Sequence, residues 1–228
     1  MFTFGICCTK ENTKFHQIIL NSILQQKINN VQVIFIGEEL EIKPEECVDF
    51  VYFSEKLNPN WITKKKNLIT KFSKNENIVF MHDYIKLNEN WFEGFLKFKN
   101  DFDLCMNKII NLDGERWFDW HLNHEIVKLP NRELLLPYDV DNLSKLMYFN
   151  GSYYICKKKI CEEFPLNEKL IWGQGEDIEF SNRVLTKYNF KMNAFSSVQC
   201  LKQKEKVFSL ISEKNLNLIQ LKFKAHYD

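Results

Sequence analysis

Glycine and proline are scarce in this 228-residue chain, at 7 and 5 residues. So few turn formers leave little room for a many-turned all-β fold or for low-complexity linkers. Arginine is scarcer still. Three (Arg116, Arg132, Arg183) stand beside 28 lysines, and arginine is the usual reader of guanine edges and phosphates, so base readout is disfavoured. With 31 basic and 30 acidic residues the net charge is +1, and no global field draws the chain to nucleic acid. No apolar run approaches the roughly 18 residues of a membrane span. The opening MFTFGICCTKENTKF lacks the basic region and apolar stretch of a signal peptide, so the expected location is the cytoplasm, including the inner face of its membrane. A disulfide framework or a zinc site is also missing. The seven cysteines are odd in number, Cys7 and Cys8 are adjacent, and Cys156 and Cys161 have no histidine at finger spacing. They are expected to be reduced, buried small hydrophobes.

Large rings are plentiful: 14% of residues are aromatic, 20 of them Phe, within an ordinary 45% apolar and 27% charged composition. Such a chain can bury a substantial core. Residues 2–8 (FTFGICC) read as a buried first strand, and FHQIILNSILQQ as a helix with Phe15, Ile18, Ile19 and Ile23 on its apolar stripe. Strands are expected at 31–37, 48–53 and 77–85, with a helix at 61–74 between the last two. This alternation predicts an α/β class with a central, mostly parallel mixed sheet flanked by helices. Open sheets of this kind bind ligands beyond the carboxyl ends of their strands. Attention therefore falls on residues 8–11, 37–39, 53–55 and 82–84.

The second half is less regular. A strand and turn are expected at 102–114, with Asp113-Gly114 as the turn. Residues 145–164 read as a strand, an Asn150-Gly151 turn, a second strand and a short helix; 165–190 reads as a loop entering a helix. The segment 206–228 is expected to be an amphipathic C-terminal helix, packed on the fold and able to touch a membrane surface. With no repeat and no linker, a single domain over 1–228 is expected.

The strongest local motif is Trp172-Gly173-Gln174-Gly175-Glu176-Asp177, with Arg183 further along. Two glycines let the backbone bend close to a ligand, and the carboxylates of Glu176 and Asp177 suit a helix start. An acidic N-cap alone would explain as much. The tryptophan points further, since an apolar plate beside paired carboxylates suits a sugar ring. The second motif, His82-Asp83-Tyr84, ends an apolar strand where a carboxylate could hold a hard cation, or merely close the strand in an Asx turn.

In this order, roughly 90 residues apart, the two motifs resemble the GT-A glycosyltransferases, especially the family 2-like nucleotide-sugar transferases. The resemblance extends to Thr9-Lys10-Glu11-Asn12, to Trp61-Ile62-Thr63-Lys64-Lys65-Lys66-Asn67 and to Phe149-Asn150-Gly151-Ser152, and so runs to about residue 205. It implies a nucleotide-binding half (1–100) and an acceptor half (101–205). It places Thr9, Glu11, Gly37 and Glu38 on the nucleotide, Lys65 and Asn67 near the diphosphate, and His82-Asp83-Tyr84 at the family's Asp-x-Asp metal motif. Glu176-Asp177 then match the Glu-Asp pair whose Asp is the base in inverting members, while Trp172, Gly173, Gly175 and Gly151 belong to the acceptor or sugar side. Trp120 and His121 are candidates for the acceptor wall, with a packed aromatic cluster as the commoner outcome for such residues.

The implied activity is transfer of a sugar from a nucleoside diphosphate sugar to a hydroxyl of a surface glycan, of the capsule or lipopolysaccharide kind, free or lipid-linked. Self-association into a homo-oligomer is left open. The motif departs from the family where it matters most: His82 and Tyr84 replace both outer carboxylates. Mn²⁺ or Mg²⁺ would rest on Asp83, with His82 a ligand acceptable to Mn²⁺. The family's late histidine has no match, position 200 being Cys and His226 lying at the extreme end. The defective motif supports an alternative, a non-catalytic nucleotide- or sugar-binding module derived from the same fold.

Overall fold

Strand β1 (Phe2–Cys7) is buried along its whole length, as a continuous apolar run flanked on both sides by parallel neighbours must be. In the computed structural model, which describes residues 1–227 and the side chains of 1–129 and 131–224, β1 pairs in parallel with β2 (Gln32–Gly37) and β4 (Asn77–His82). Strand β3 (Val48–Tyr52) continues the parallel half beyond β2. The crossovers carry α1 (His16–Leu24), entered through a 3-10 turn at Lys10–Phe15, and α2 (Ile62–Phe72). These elements match the expected strands and helices to within a few residues.

The expected strand at 77–85 is divided. After His82 the chain leaves the centre of the sheet, and β5 (Ile85–Leu87) pairs at its far edge. Asp83 and Tyr84 occupy that crossing. Helix α3 (Trp91–Phe98) then leads to β6 (Leu104–Ile110) and the Asx turn in which Asp113 Oδ1 accepts the Glu115 N–H at 2.9 Å.

Residues 145–149 form no strand. A 3-10 turn at Ser144–Leu146 and a lone bridge from Met147 to Leu122 replace it, because the Phe149 N–H is taken by the Ser181 hydroxyl instead of a ladder partner. The Asn150-Gly151 turn does form, closed by the Tyr153 N–H on the Asn150 carbonyl at 3.1 Å. Among the described residues, the short β7 (Glu133–Leu135) is the one strand between 110 and this turn. After the turn come β8 (Tyr153–Lys157) and α4 (Lys158–Glu163), then α5 (Glu176–Val184) and the long β9 (Phe190–Cys200).

The eight-stranded sheet runs β3-β2-β1-β4-β8-β6-β9-β5. Strand β8 is antiparallel to both β4 and β6, and so joins the parallel half to β6 and β9. The C-terminal segment is not one helix. Ser209–Leu210 form β10 beside β7, and α6 (Glu213–Tyr227) begins only after it. Glu133 fixes the break by accepting hydrogen bonds from the Ser212 N–H and the Asn215 amide. The cysteines are free; six are buried and Cys47 is half-buried. The side chain of His226 lies outside the described residues.

Candidate active site

A cavity of about 510 Å³ opens at the carboxyl ends of β1 and β4. Its wall includes the 9–12 turn, Glu55, Trp61, Lys65, the 82–84 crossing, Trp172, Lys202 and Lys204. This is where a sheet of this kind presents ligands. Thr9, Glu11, His82, Asp83, Tyr84, Lys65 and Trp172 are thus brought together around one cavity.

Asp83 organises the turn. Its Oδ2 accepts the Thr9 N–H and, at 2.8 Å, the Thr9 hydroxyl; its Oδ1 accepts the Asn12 amide at 2.8 Å. Burial raises its pKa, while these donors from Thr9 and Asn12 oppose the shift. Asn12 had no role in the sequence reading, yet it completes the clasp.

A divalent ion does not fit this donor set. Both Asp83 oxygens are already engaged, and Glu55 is ion-paired with Lys65. The Nε2 of His82 is buried and meets no partner among the described residues. Burial first, then Lys66, Lys204, Lys65 and Lys202, hold the His82 pKa well below that of a free imidazole. Among the described residues no three His, Cys, Asp or Glu side chains converge as ligands. Four ammonium groups surround the strand end instead.

Two of those ammoniums are committed to the protein. Lys65 donates to the Cys8 carbonyl at 2.6 Å and pairs with Glu55. Lys66, one residue on, is fully buried and donates to the Gly151 carbonyl at 2.6 Å. On its other side Gly151 meets Asp177: its N–H donates to Asp177 Oδ2 at 3.0 Å. The adjacent Ser152 carbonyl accepts the His82 N–H at 2.9 Å. One short turn therefore ties the end of β4, α2 and the start of α5 into a single unit. Glu176 is buried beside Asp177; desolvation and then the Asp177 charge raise its pKa, against the pull of Lys66. Lys66 was not singled out in the sequence; its place between Lys65 and Asn67 was the available clue.

Helix α5 starts from Gly175 at φ 72°, and Gly173 stands at φ 83°. Both are left-handed positions natural to glycine. They turn Trp172 outward, so that it is 62% exposed at the cavity rim. Helix α2 holds this loop: the Trp61 indole donates to the Glu168 carbonyl, the Thr63 hydroxyl to the Leu170 carbonyl, and Lys64 pairs with Glu168. Arg183 anchors the helix through Glu179 and the Pro165 carbonyl.

Several expected contacts lie elsewhere. Asn67 faces away from the cavity and clasps Leu166 and Glu168 with three hydrogen bonds. Gly37 closes β2 against Cys8, where a Cβ would come within 2.7 Å of the Cys8 Cβ. Glu38 accepts from the Ser54 hydroxyl and the Lys56 N–H, joining the loops after β2 and β3. Trp120 and His121 are wholly buried and form no wall. The Trp120 indole donates to the Val140 carbonyl, and His121 packs among Phe118, Tyr148 and Phe208. Their aromatic neighbourhood is a core that backs the Gly151–Asp177 turn.

No protein-family model and no curated sequence matches the chain. Solved structures do. GalNAc-T7, crystallised with UDP, GalNAc and Mn²⁺, superposes at a TM-score of 0.63 with 11% identity, over 96% of this chain and 47% of that one. S. aureus TarS 1-349 in complex with UDP-GlcNAc gives 0.61 with 13% identity, over 96% of this chain and 64% of its own. The chain thus spans about half to two thirds of these two structures. The likeness is one of fold, and the chain has the GT-A fold.

Proposed function

We propose that this chain transfers a sugar from a nucleoside diphosphate sugar to a hydroxyl of a glycan, with Asp177 as general base. The observation that carries the reading is the joining, through the Gly151 turn, of a strand-end cavity to a helix-start carboxylate pair. The donor nucleotide lies along the 9–12 turn, whose shape Asp83 holds. Trp172 offers its ring to a sugar face, and the role read for Glu176 is to hold a hydroxyl. Asp177 takes the proton of the acceptor hydroxyl; the oxygen forms a bond to the anomeric carbon, and the bond to the diphosphate breaks with its electron pair leaving on phosphate oxygen. Such a displacement inverts the anomeric centre. The acceptor is a surface glycan of the capsule or lipopolysaccharide kind, free or lipid-linked.

Thermal-shift titration with UDP, GDP, CDP and their sugars tests the donor. Stabilisation by one nucleotide class, and by its sugar conjugate more than by the free sugar, is expected. Product anomer assignment by NMR then tests the chemistry. Stabilisation by none of the nucleotides, with and without Mn²⁺, defeats the reading. Binding without transfer to any glycan acceptor in a panel leaves the non-catalytic binding module in its place.

A further inference from the structure

Residues 201–205 follow the end of β9 and line the cavity with Lys202 and Lys204, and no feature of the sequence marked them. The segment is held at three points. The Leu201 N–H donates to the Tyr84 carbonyl at 2.7 Å, Asn111 brackets the Lys204 peptide through 2.9 and 2.8 Å bonds, and the Trp117 indole donates to the Glu205 carbonyl at 3.1 Å. A backbone fixed in this way delivers two side chains to one place. The ammonium groups of Lys202 and Lys204 lie 4.5 and 4.4 Å from the centroid of the Tyr84 ring, beside His82 and Asp83. Among the described residues neither meets a carboxylate within ion-pair distance, whereas Lys65 is matched by Glu55 and Lys206 by Glu115. Two half-buried, like-charged groups on one ring repel each other, and burial together with Lys202 pulls the Lys204 pKa down. An anion between them would relieve that repulsion.

We propose that Lys202 and Lys204 form a cation pair that binds the diphosphate of the donor in place of a divalent metal ion. The inference rests on the nucleoside diphosphate reading and deepens it. Ammonium groups bind phosphate as point charges through charge-assisted hydrogen bonds. The Tyr84 ring, itself held between His82 and the two lysines, supplies the platform over which both ammonium groups lie. The substitution of Tyr84 for a metal-motif carboxylate and the two lysines are then parts of one arrangement, since an anionic side chain there would be paired with the lysines and shut the phosphate out.

Isothermal titration of the full chain with UDP, GDP, CDP and the matching nucleosides, in EDTA and then in Mn²⁺, tests this. The preferred diphosphate is expected to bind in EDTA with an affinity that Mn²⁺ leaves nearly unchanged. Lys202→Ala and Lys204→Ala should each weaken it by roughly tenfold, the value of one charge-assisted hydrogen bond, and leave nucleoside binding nearly unaffected. Lys206→Ala, off the cavity, should match the wild type, and circular dichroism melts verify that each variant folds. Diphosphate binding that requires Mn²⁺, or that survives loss of both lysines, overturns the cation pair while keeping the donor reading. No binding of any nucleotide in either condition overturns both.

Discussion

The Gly151 N–H lies 3.0 Å from Asp177 Oδ2, and a β-carbon placed on Gly151 would stand 3.0 Å from that same oxygen and 3.1 Å from the Asp177 Cβ. The contact is both a hydrogen bond and a steric limit. Gly151→Ala is therefore expected to push the Asp177 carboxylate a few tenths of an ångström off its position. Misplacement of a reacting group can cost up to about 10²-fold in rate, so turnover should fall by roughly ten- to a hundredfold with nucleotide affinity nearly unchanged. Asp177→Asn, which removes the base, should cost about 10²–10⁴-fold in turnover. Steady-state kinetics beside nucleotide titration separates the two readouts. Wild-type turnover in Asp177→Asn would place the base elsewhere.

Asp83 makes a different prediction, because its carboxylate faces inward to Thr9 and Asn12. Asp83→Ala leaves those donors without their acceptor, which costs about 1–3 kcal/mol for a buried group. The 9–12 turn should loosen, and nucleotide affinity should fall together with stability in urea titrations. Thr9→Val, which removes one hydroxyl donor, should reproduce a fraction of the loss. A variant that keeps full stability and regains activity only at a raised Mn²⁺ concentration would restore Asp83 to a metal role.

Acid sensitivity follows from the buried histidines. Burial first of all lowers the His121 pKa to about 3, against 6.5 for a free side chain, and His82 shifts the same way. Between those values the unfolded chain takes up a proton that the native one refuses. The stabilising contribution is thus complete above pH 6.5 and is lost as pH falls toward 3, with a slope of up to about 1.4 kcal/mol per pH unit for one proton. The raised carboxyl groups of Asp83 and Glu176 act in the opposite sense, each contribution fading as pH rises through its shifted value. His121→Phe, which can keep the contacts to Phe118, Tyr148 and Phe208, should flatten the acid limb. Urea unfolding from pH 7.5 to 5 compares the slopes; equal slopes in both proteins would rule His121 out as a source.

The parallel half was legible because its signals are local. Runs such as FTFGICC and NIVFMHDYI are buried on both faces, and the helices between them carry regular apolar stripes. The Trp-Gly-Gln-Gly-Glu-Asp loop was legible for the same reason, its glycines and carboxylates lying side by side. Lys65 and Asn67 were read together, yet two residues of a helix turn through about 200°; one reaches the cavity and the other clasps Leu166. Lys202 and Lys204 were invisible because their meaning depends on the return of β9 to the sheet, which sets them on a ring more than a hundred residues earlier. Nothing in KQKEK distinguishes a binding pair from a solvated loop.

Trp172 is the candidate plate for a sugar ring and Trp120 a candidate for the acceptor wall, and the structure separates them by burial. Trp120 is fully enclosed and packs at a tilt against Phe190, whereas Trp172 is 62% exposed on a loop held by α2. Their alanine variants should therefore fail in opposite ways. Trp120→Ala opens a cavity and orphans the Val140 carbonyl, a loss of about 3–5 kcal/mol, so melting temperature should drop sharply. Trp120→Phe, milder in volume, should fold with an unchanged KM for donor and acceptor. Trp172→Ala removes a surface ring and should stay within about 0.5 kcal/mol of wild-type stability. Its cost should appear in sugar binding instead, at about 0.5–1.5 kcal/mol for a lost ring contact, or roughly two- to tenfold in KM. Thermal melts and KM values on the same preparations decide the matter. A stable Trp172→Ala with wild-type KM for both substrates would remove the tryptophan from the site and leave the loop with its carboxylates alone.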